Sequence, residues 1–265
     1  MKLKYVIAVA WIGLTFLNMA TATLIGQWSF EEGTVGQAVT NVPDISGQGH
    51  SLTNIDLGNA VVYVTTPGSD STPGTVSNRF IGMPGSVGAR FDGFNQDYLD
   101  TTPGYNLGSC TLEAWVDWRG INSDVNYGGN IARHYRGGTS QWILNTKGSK
   151  TVNPKDMLSI FTGYDTPTTN TYNYPATALA SNRWVHVAVR RTAVGAVSYW
   201  DFYFNGVPVL TNIYHRVYGF LEPGYFSLGQ SFDGVIAEMA ISDVVLEPEN
   251  FVLIAKAQGS VIIIK

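Results

Sequence analysis

Glu113 and Asp117, two acidic residues on one predicted strand, are the nearest approach in the sequence to a catalytic carboxylate pair. Hydrolysis of a glycosidic bond needs two carboxyl groups flanking it, about 5–5.5 Å apart when configuration is retained. Glu113 and Asp117 are separated by four positions, so at ~3.3 Å per residue their Cα atoms lie about 13 Å apart, with Trp115 between them. The spacing favours a structural role for Glu113 as a partly buried, hydrogen-bonded strand residue. We therefore predict that the protein is not an enzyme.

Aromatic residues that cluster after this strand indicate a different chemistry, the binding of sugar rings. Sugar rings present apolar C–H faces to flat Tyr and Trp side chains, while Asn, Asp and Arg bind the hydroxyl groups. Polar residues of those types lie close by, at Asn122, Asp124, Asn126, Arg133 and Arg136. The alternative is that the aromatic residues cover strand ends and hydrophobic gaps. The candidate ligand-binding residues are Trp118, Tyr127, His134, Tyr135, Trp142, Tyr164 and Tyr172.

The sequence offers little for other chemistries. Cys110 is the only cysteine, which excludes an intrachain disulfide, and the sequence shows no Cys–His pairing. His50 and His186 lie in strand-like contexts and are predicted to be structural. The sequence has no serine nucleophile elbow and no His-rich metal spacing. The formal net charge of −4 and the lack of a Lys/Arg cluster argue against a nucleic-acid partner.

The elements that must position these side chains are predicted to be short β-strands. Residues 110–118 and 184–190 alternate with period two between apolar and mixed faces, and turn signals bound many other short apolar runs. Asn205-Gly206 predicts a two-residue hairpin turn, because both residue types tolerate positive φ. Only Pro248–Lys256 has a helical pattern, and Val261–Lys265 is predicted to form a last strand at a sheet edge.

The first residues have the pattern of a secretion signal. Lys2 and Lys4 precede an apolar stretch that ends at about Leu17, and Ala20-Thr21-Ala22 provides small residues at the cleavage spacing. We predict a signal peptide at 1–22, a single mature domain at 23–265 and no membrane span after cleavage. An uncleaved anchor is the alternative, but the apolar run is short for that. The sequence also lacks an Asn-x-Ser/Thr acceptor, which favours an extracellular or cell-surface bacterial protein.

Eight segments of the chain form a pattern whose order and spacing are more informative than any one of them. They are 28–33 (WSFEEG), 44–50 (DISGQGH), 89–93 (ARFDG), 97–99 (DYL), 111–116 (TLEAWV), 184–189 (WVHVAV), 203–206 (YFNG) and 232–241 (FDGVIAEMAI). In this order they resemble the laminin-G-like jelly roll of the concanavalin A-like lectin/glucanase superfamily, and the match is fairly specific for the fold. The resemblance implies an all-β fold, a two-sheet antiparallel β-sandwich of about a dozen strands that spans nearly the whole mature chain.

The resemblance also implies a structural calcium site, for which Glu31, Asp44 and Glu238 are the candidate ligands. Carboxylate and carbonyl oxygens suit this hard cation. The family commonly has an Asp-Glu pair on the last long strand, whereas this chain has Ala237-Glu238, so one ligand is missing. The glucanases of the superfamily place acidic residues at alternate positions of one strand, and here the middle carboxylate is missing as well.

Three functions are compatible with these patterns. The first is a secreted, lectin-like protein that binds a polysaccharide or another glycan. The second is a structural or adhesive surface protein that assembles with itself or with other surface proteins. The third is a glycoside hydrolase, which the spacing of Glu113 and Asp117 disfavours.

Overall fold

Antiparallel strands account for almost all of the regular structure. The computed structural model describes residues 23–54, 61–65, 87–92, 99–101, 108–119, 129–136, 139–149, 152–162, 171–173, 179, 183–195, 197–216, 225–230 and 232–257. The predicted signal peptide and the predicted strand Val261–Lys265 lie outside these residues.

Sixteen strands lie within the described residues, more than the dozen predicted, because several have only two to four residues. The first eight are β1 (Leu24–Ser29), β2 (Asn41–Val42), β3 (Leu52–Asn54), β4 (Val62–Thr65), β5 (Val87–Asp92), β6 (Leu99–Thr101), β7 (Cys110–Trp118) and β8 (Asn130–Arg136). The others are β9 (Thr139–Ser149), β10 (Val152–Thr162), β11 (Thr171–Asn173), β12 (Trp184–Val194), β13 (Val197–Phe204), β14 (Val207–Arg216), β15 (Tyr225–Leu228) and β16 (Asp233–Ser242).

The strands form two sheets, each with eight strands in the described part of the chain. Sheet A has the order β14-β13-β12-β7-β16-β5-β4, and β1 pairs with β16 beside this path. Sheet B has the order β11-β10-β9-β8-β15-β6-β3-β2. Many neighbours in a sheet are far apart in sequence, as expected for a jelly roll.

The two sheets pack face to face around one core. Trp28 on β1 of sheet A stacks on Phe226 on β15 of sheet B, with ring centroids 5.7 Å apart and planes 8° apart. On β7 the apolar face of the period-two pattern, Cys110, Leu112, Ala114 and Val116, enters this core, and Trp118, which was predicted to bind a ligand, lies in it as well. The predicted all-β antiparallel sandwich is therefore confirmed.

The turn between β13 and β14 confirms the hairpin prediction. Asn205 has φ 52° and Gly206 has φ 76°, the left-handed conformation at both central positions of a two-residue turn. The N–H of Asn205 donates to the carbonyl of His186 at 2.8 Å, and Asn205 Oδ1 accepts the N–H of His186 at 2.9 Å. The turn is thereby tied to strand β12.

The predicted helix at the C-terminal end forms in two pieces. A 3-10 turn spans Pro248–Asn250, and helix α1 spans Val252–Ala257. Phe251 separates them because its backbone is extended, with φ −59° and ψ 123°. Neither piece, nor any other helix of the described residues, is long and apolar enough to cross a membrane.

Candidate functional site

The outer face of sheet A is covered by the chain segment 244–257, which we call the closing segment. A second hydrophobic cluster lies between this segment and strands β7, β12, β13 and β16. Its buried members are Trp115, Ala188, Tyr203, Ala237, Ala240, Leu246, Phe251, Val252 and Leu253. The part of sheet A beneath this cluster is therefore not available to a ligand.

Glu113 holds the closing segment through its carboxylate. Its Oε1 accepts the N–H of Val252 at 2.9 Å, and its Oε2 accepts the N–H of Leu253 at 3.0 Å. Oε2 also lies 3.1 Å from Nε2 of His186, and both side chains are buried. These amides are among the first N–H groups of α1, which have no partner within a helix. The carboxylate is an N-terminal acceptor for the helix, and it is shielded from any substrate.

Thr111 and Arg190 hold the same segment at two further points. Thr111 Oγ1 donates to the carbonyl of Val244 and accepts the N–H of Leu246, both at 2.8 Å. Arg190 donates to the carbonyl of Leu246 at 3.2 Å and pairs with Glu247 at 2.9 Å. The mixed face of β7 is thus a binding surface for the backbone of this chain.

Asp117 lies at the end of β7 and is also buried. Its Oδ2 pairs with Nη2 of Arg119 at 3.0 Å. Burial raises the pKa of Asp117 above its ordinary value of 3.8, and the positive charge of Arg119 offsets this only in part. Because both Glu113 and Asp117 are almost fully buried, they do not form a carboxylate pair in an open cleft.

The outer face of sheet B has a different character. The strand register places eight residues, one from each strand, in a continuous row across this sheet, which we call the transverse row. Its members are Asn41, Thr53, Asp100, Ser227, Arg133, Ile143, Phe161 and Tyr172. Phe226 and Leu228, on either side of Ser227, are core residues. Since successive strand residues alternate between faces, Ser227 and its row lie on the outer face.

Four members of the transverse row have polar side chains whose environment is defined. Asn41 and Thr53 are exposed, Arg133 is half-buried and Ser227 is buried. Nε of Arg133 donates to Oγ of Ser227 at 3.3 Å. This contact joins side chains of the neighbouring strands β8 and β15, near the middle of the sheet.

Aromatic residues also occur at register positions of this face. Tyr135 on β8 pairs with Tyr225 on β15. Each lies two residues from the Arg133–Ser227 pair, and positions two apart on a strand belong to the same face of a sheet. Tyr172 pairs with Phe161 at the other end of the transverse row. The face therefore combines polar and aromatic positions.

The candidate ligand residues are distributed among several environments. Trp118 is 2% exposed and belongs to the core between the sheets, so its ring cannot stack on a sugar. His134 is 1% exposed and pairs with the core residue Phe226, which places it on the inner face. Trp142 on β9 pairs with His134 on β8. Tyr135 and Tyr172 lie at the outer-face positions given above, and Tyr127 and Tyr164 lie outside the described residues.

The carboxylates proposed to bind calcium make other contacts. Asp44 Oδ1 accepts the N–H groups of Gln27 and Ser46, both at 2.9 Å, and its Oδ2 accepts that of His50 at 3.0 Å. Burial opposes ionisation of Asp44, but these hydrogen bonds outweigh it and lower the pKa below 3.8. Glu31 Oε1 accepts the N–H of Val87 at 3.1 Å, while Glu238 is buried on β16. In the part of the chain that is described, no three His, Cys, Asp or Glu residues form a group that could hold a metal ion.

Asn41, Thr53 and Ser227 were not identified from the sequence as site residues. A signal was present in the short triplets Leu52-Thr53-Asn54 and Phe226-Ser227-Leu228, where a small polar residue stands between residues that are buried. Runs of three residues are too short to predict a strand, and the order of strands in the sheet is needed to bring them together.

Comparison with known proteins supports the fold. Residues 92–250 match the family model Laminin_G_3 of the concanavalin A-like lectin/glucanases superfamily. No protein with a curated functional description matches the chain. Domain 4 of AbnA, an extracellular GH43 arabinanase from Geobacillus stearothermophilus solved with arabinotriose, is similar in structure, with a TM-score of 0.56 and 16% identity. This match covers 89% of our chain and 98% of that chain.

Two other solved structures share the fold. One is botulinum neurotoxin type C, whose cell entry depends on two ganglioside molecules, with a TM-score of 0.54, 11% identity and coverage of 89% of our chain and 51% of that chain. The other is a sialidase from Trypanosoma rangeli, with a TM-score of 0.52, 9% identity and coverage of 91% and 34%. The family match covers more than half of the sequence and agrees with the two-sheet architecture. The chain therefore belongs to the concanavalin A-like lectin/glucanase superfamily.

Proposed function

We propose that the protein is a secreted, non-catalytic carbohydrate-binding protein and that its glycan lies on the outer face of sheet B. The observation that carries this proposal is the contrast between the two outer faces. The closing segment occupies sheet A, whereas Asn41 and Thr53 on the transverse row of sheet B are exposed. The row provides amide, hydroxyl and guanidinium groups beside aromatic positions, the combination that sugar binding requires.

The environment of the acidic residues supports a non-catalytic role. Glu113 is engaged by two backbone amides and His186, and Asp117 is paired with Arg119. A hydrolase needs one carboxyl group to donate a proton and another to attack or activate water, and both must reach the glycosidic bond. Neither of these side chains reaches an open surface.

The structural relatives suggest the first probes. The arabinanase domain was solved with arabinotriose, so linear arabinan is the first polymer to test. Xylan, cellulose, glucomannan and sialylated glycans extend the range of sugar chemistry. Retardation of the mature protein in native gels that contain each polymer would measure binding without the need for a labelled ligand.

A pair of matched arginine variants tests the location of the site. Arg133 lies on the transverse row, whereas Arg183 is exposed just before β12 of sheet A. We expect Arg133→Gln to reduce retardation by the bound polymer about tenfold and Arg183→Gln to leave it unchanged. Equal effects of the two variants, with both proteins folded, would move the site away from sheet B.

A second candidate function, assembly into a surface layer, is favoured by one observation. Strand β14 is at the end of the sheet A path, and Val207 and Tyr214 on it are 61% and 55% exposed. Edge strands with exposed apolar residues promote association between chains. Light scattering during size-exclusion chromatography distinguishes the two functions, since a binding module elutes as a monomer and an assembling protein as a concentration-dependent oligomer.

A further inference from the structure

We propose that the outer face of sheet A binds one enclosed water molecule through Asp117, Trp184 and His186, and that this water links Asp117 to the carboxylate that holds the closing segment. The site lies on strands β7 and β12, beside the second hydrophobic cluster, against which Trp184 packs. This inference does not depend on the proposed carbohydrate-binding function. It assigns a role to buried polar groups that the proposed function does not use.

The first argument is that three buried polar atoms on these strands have no hydrogen-bond partner within the described residues. They are Asp117 Oδ1, Trp184 Nε1 and His186 Nδ1. Asp117 is 3% exposed and His186 is fully buried. Buried polar groups in proteins are nearly always hydrogen-bonded, either to the protein or to an ordered water. Three such atoms on neighbouring residues therefore indicate a bound water.

The strand register brings these three side chains together on one face. Asp117 on β7 pairs with Trp184 on β12, and His186 is the next residue of β12 on the same face. Directly opposite residues have Cβ atoms about 5 Å apart, and diagonal neighbours such as Asp117 and His186 about 7–8 Å. A water that makes two hydrogen bonds of about 2.8 Å spans about 5 Å between its partners. The polar ends of the three side chains can therefore reach the same water.

The three atoms also match the hydrogen-bonding capacity of water. The indole N–H of Trp184 is a donor, and Asp117 Oδ1 is an acceptor. Nε2 of His186 lies 3.1 Å from Oε2 of Glu113, so Nε2 carries the proton and Nδ1 of the neutral ring is an acceptor. A water can accept from Trp184 and donate to both Asp117 and His186, which gives it the three bonds typical of buried water. A cation could not accept the indole N–H, and an anion would face the Asp117 carboxylate.

The water completes a chain of hydrogen bonds from the end of β7 to the closing segment. This chain runs from Asp117 through the water to His186 and on to Glu113. Glu113 then accepts the N–H groups of Val252 and Leu253. Because Oε2 of Glu113 is shared between His186 and Leu253, the orientation of the imidazole ring helps to set the position of this carboxylate. His186 is thus a positioning residue for the closing segment.

NMR of the wild-type mature protein at neutral pH tests the water itself. The indole N–H of Trp184 is expected to show cross-relaxation with a long-lived bound water, and Trp184→Phe identifies this signal by removing it. The matched control is the indole N–H of Trp28, which is buried but donates to the carbonyl of His50 at 2.8 Å, and it is expected to show no such signal. Nδ1 of His186 is expected to carry no proton. The absence of a water signal at Trp184, or a proton on Nδ1 of His186, overturns the inference.

Hydrogen exchange tests the link to the closing segment. Trp184→Phe keeps an aromatic ring but removes the N–H that the water accepts. This substitution is expected to increase the exchange rates of the Val252 and Leu253 amides severalfold, because the ring that orients their acceptor loses its own partner. The amide of Leu246, which Thr111 holds in the same segment, is the control and is expected to be unchanged.

Asp117→Leu, which removes the acceptor on the other side of the water, replaces Trp184→Phe if that variant does not fold. The same pattern of exchange rates is expected from it. Equal acceleration at Leu246 and Val252 would show only a general loss of stability and overturns the link. Unchanged exchange at Val252 and Leu253 in a folded variant overturns it as well.

Discussion

The N–H of Thr23 donates a hydrogen bond to Oδ1 of Asp243 at 2.9 Å, and the N–H of Asp243 donates to the carbonyl of Thr23 at 3.0 Å. These contacts join the residue before β1 to the residue after β16, and β1 pairs with Glu238–Ser242 of β16. Thr23 is also the first residue after the predicted signal peptide. Cleavage before Thr23 would convert its amide into an ammonium group beside the Asp243 carboxylate.

We therefore predict that the exported protein begins at Thr23 and that Asp243 forms an ion pair with the new N-terminus. Asp243→Asn is expected to lower the Tm of the mature protein slightly, and more at low salt, because surface ion pairs are weak and screened. The same substitution is expected to have a smaller effect in a variant extended by two alanines before Thr23. N-terminal sequencing and thermal unfolding of the four proteins provide the measurement, and an intact Met1 in the exported protein would contradict the cleavage site.

Trp118 is predicted to contribute to stability and not to ligand binding. Trp118→Ala removes a large side chain from the core between the sheets and is expected to cost about 3–5 kcal/mol in the free energy of unfolding. Tyr214→Ala, on the exposed side of β14, is expected to cost less than about 1 kcal/mol. Urea unfolding followed by tryptophan fluorescence measures both. A stable Trp118→Ala protein that has lost glycan binding would contradict this prediction.

Glu113 is also predicted to contribute to stability, because its buried carboxylate holds the closing segment. Glu113→Ala leaves the buried N–H groups of Val252 and Leu253 without their acceptor, and we expect a loss of about 3 kcal/mol in the free energy of unfolding. Glu249→Ala, which removes an exposed carboxylate from the same segment, is the control and is expected to be nearly neutral. Glycan binding by the folded fraction of Glu113→Ala is expected to be unchanged. Loss of a glycan-hydrolysing activity in this variant would instead favour the hydrolase hypothesis.

Asp44 is expected to produce a pH dependence of stability. Its folded pKa is below 3.8, so its stabilising contribution is fully present above that pH and is lost as the pH falls through the folded pKa. Asp44→Asn cannot accept all three backbone N–H groups and is expected to cost about 1–2 kcal/mol at pH 7. The difference in the free energy of unfolding between Asp44→Asn and wild type is expected to shrink at acidic pH. Urea unfolding at a series of pH values measures it.

Two controls accompany the Asp44 experiment. Glu32→Gln changes an exposed carboxylate nearby and is expected to leave the pH profile unchanged. Addition of calcium, or of a chelator, is expected to leave the Tm of wild type unchanged, because the carboxylates of Asp44 and Glu31 already accept backbone N–H groups. A rise in Tm with calcium that disappears in Asp44→Asn would support the metal site instead.

Local patterns in the sequence were sufficient to predict the class of fold and several of its parts. The alternation in 110–118 and in 184–190 separated the two faces of each strand, because the side chains of a strand point to opposite faces with period two, and the apolar faces lie in the core between the sheets. The dipeptide Asn205-Gly206 predicted the turn that it forms, since these residue types readily adopt the left-handed conformation. Pro248 marked the start of the helical region at the C-terminal end.

The tertiary structure decided what covers each face and which residues meet. Alternation on β7 distinguishes two faces, but it does not reveal that Glu113 meets the backbone of Val252, 139 residues away, beneath the closing segment. Trp118 follows the alternation into the core although the aromatic cluster around it suggested a binding surface. The transverse row depends on eight strands whose order in the sheet differs from their order in the chain. Pairing between distant strands is set by the packing of the whole sandwich, and no local spacing in the sequence records it.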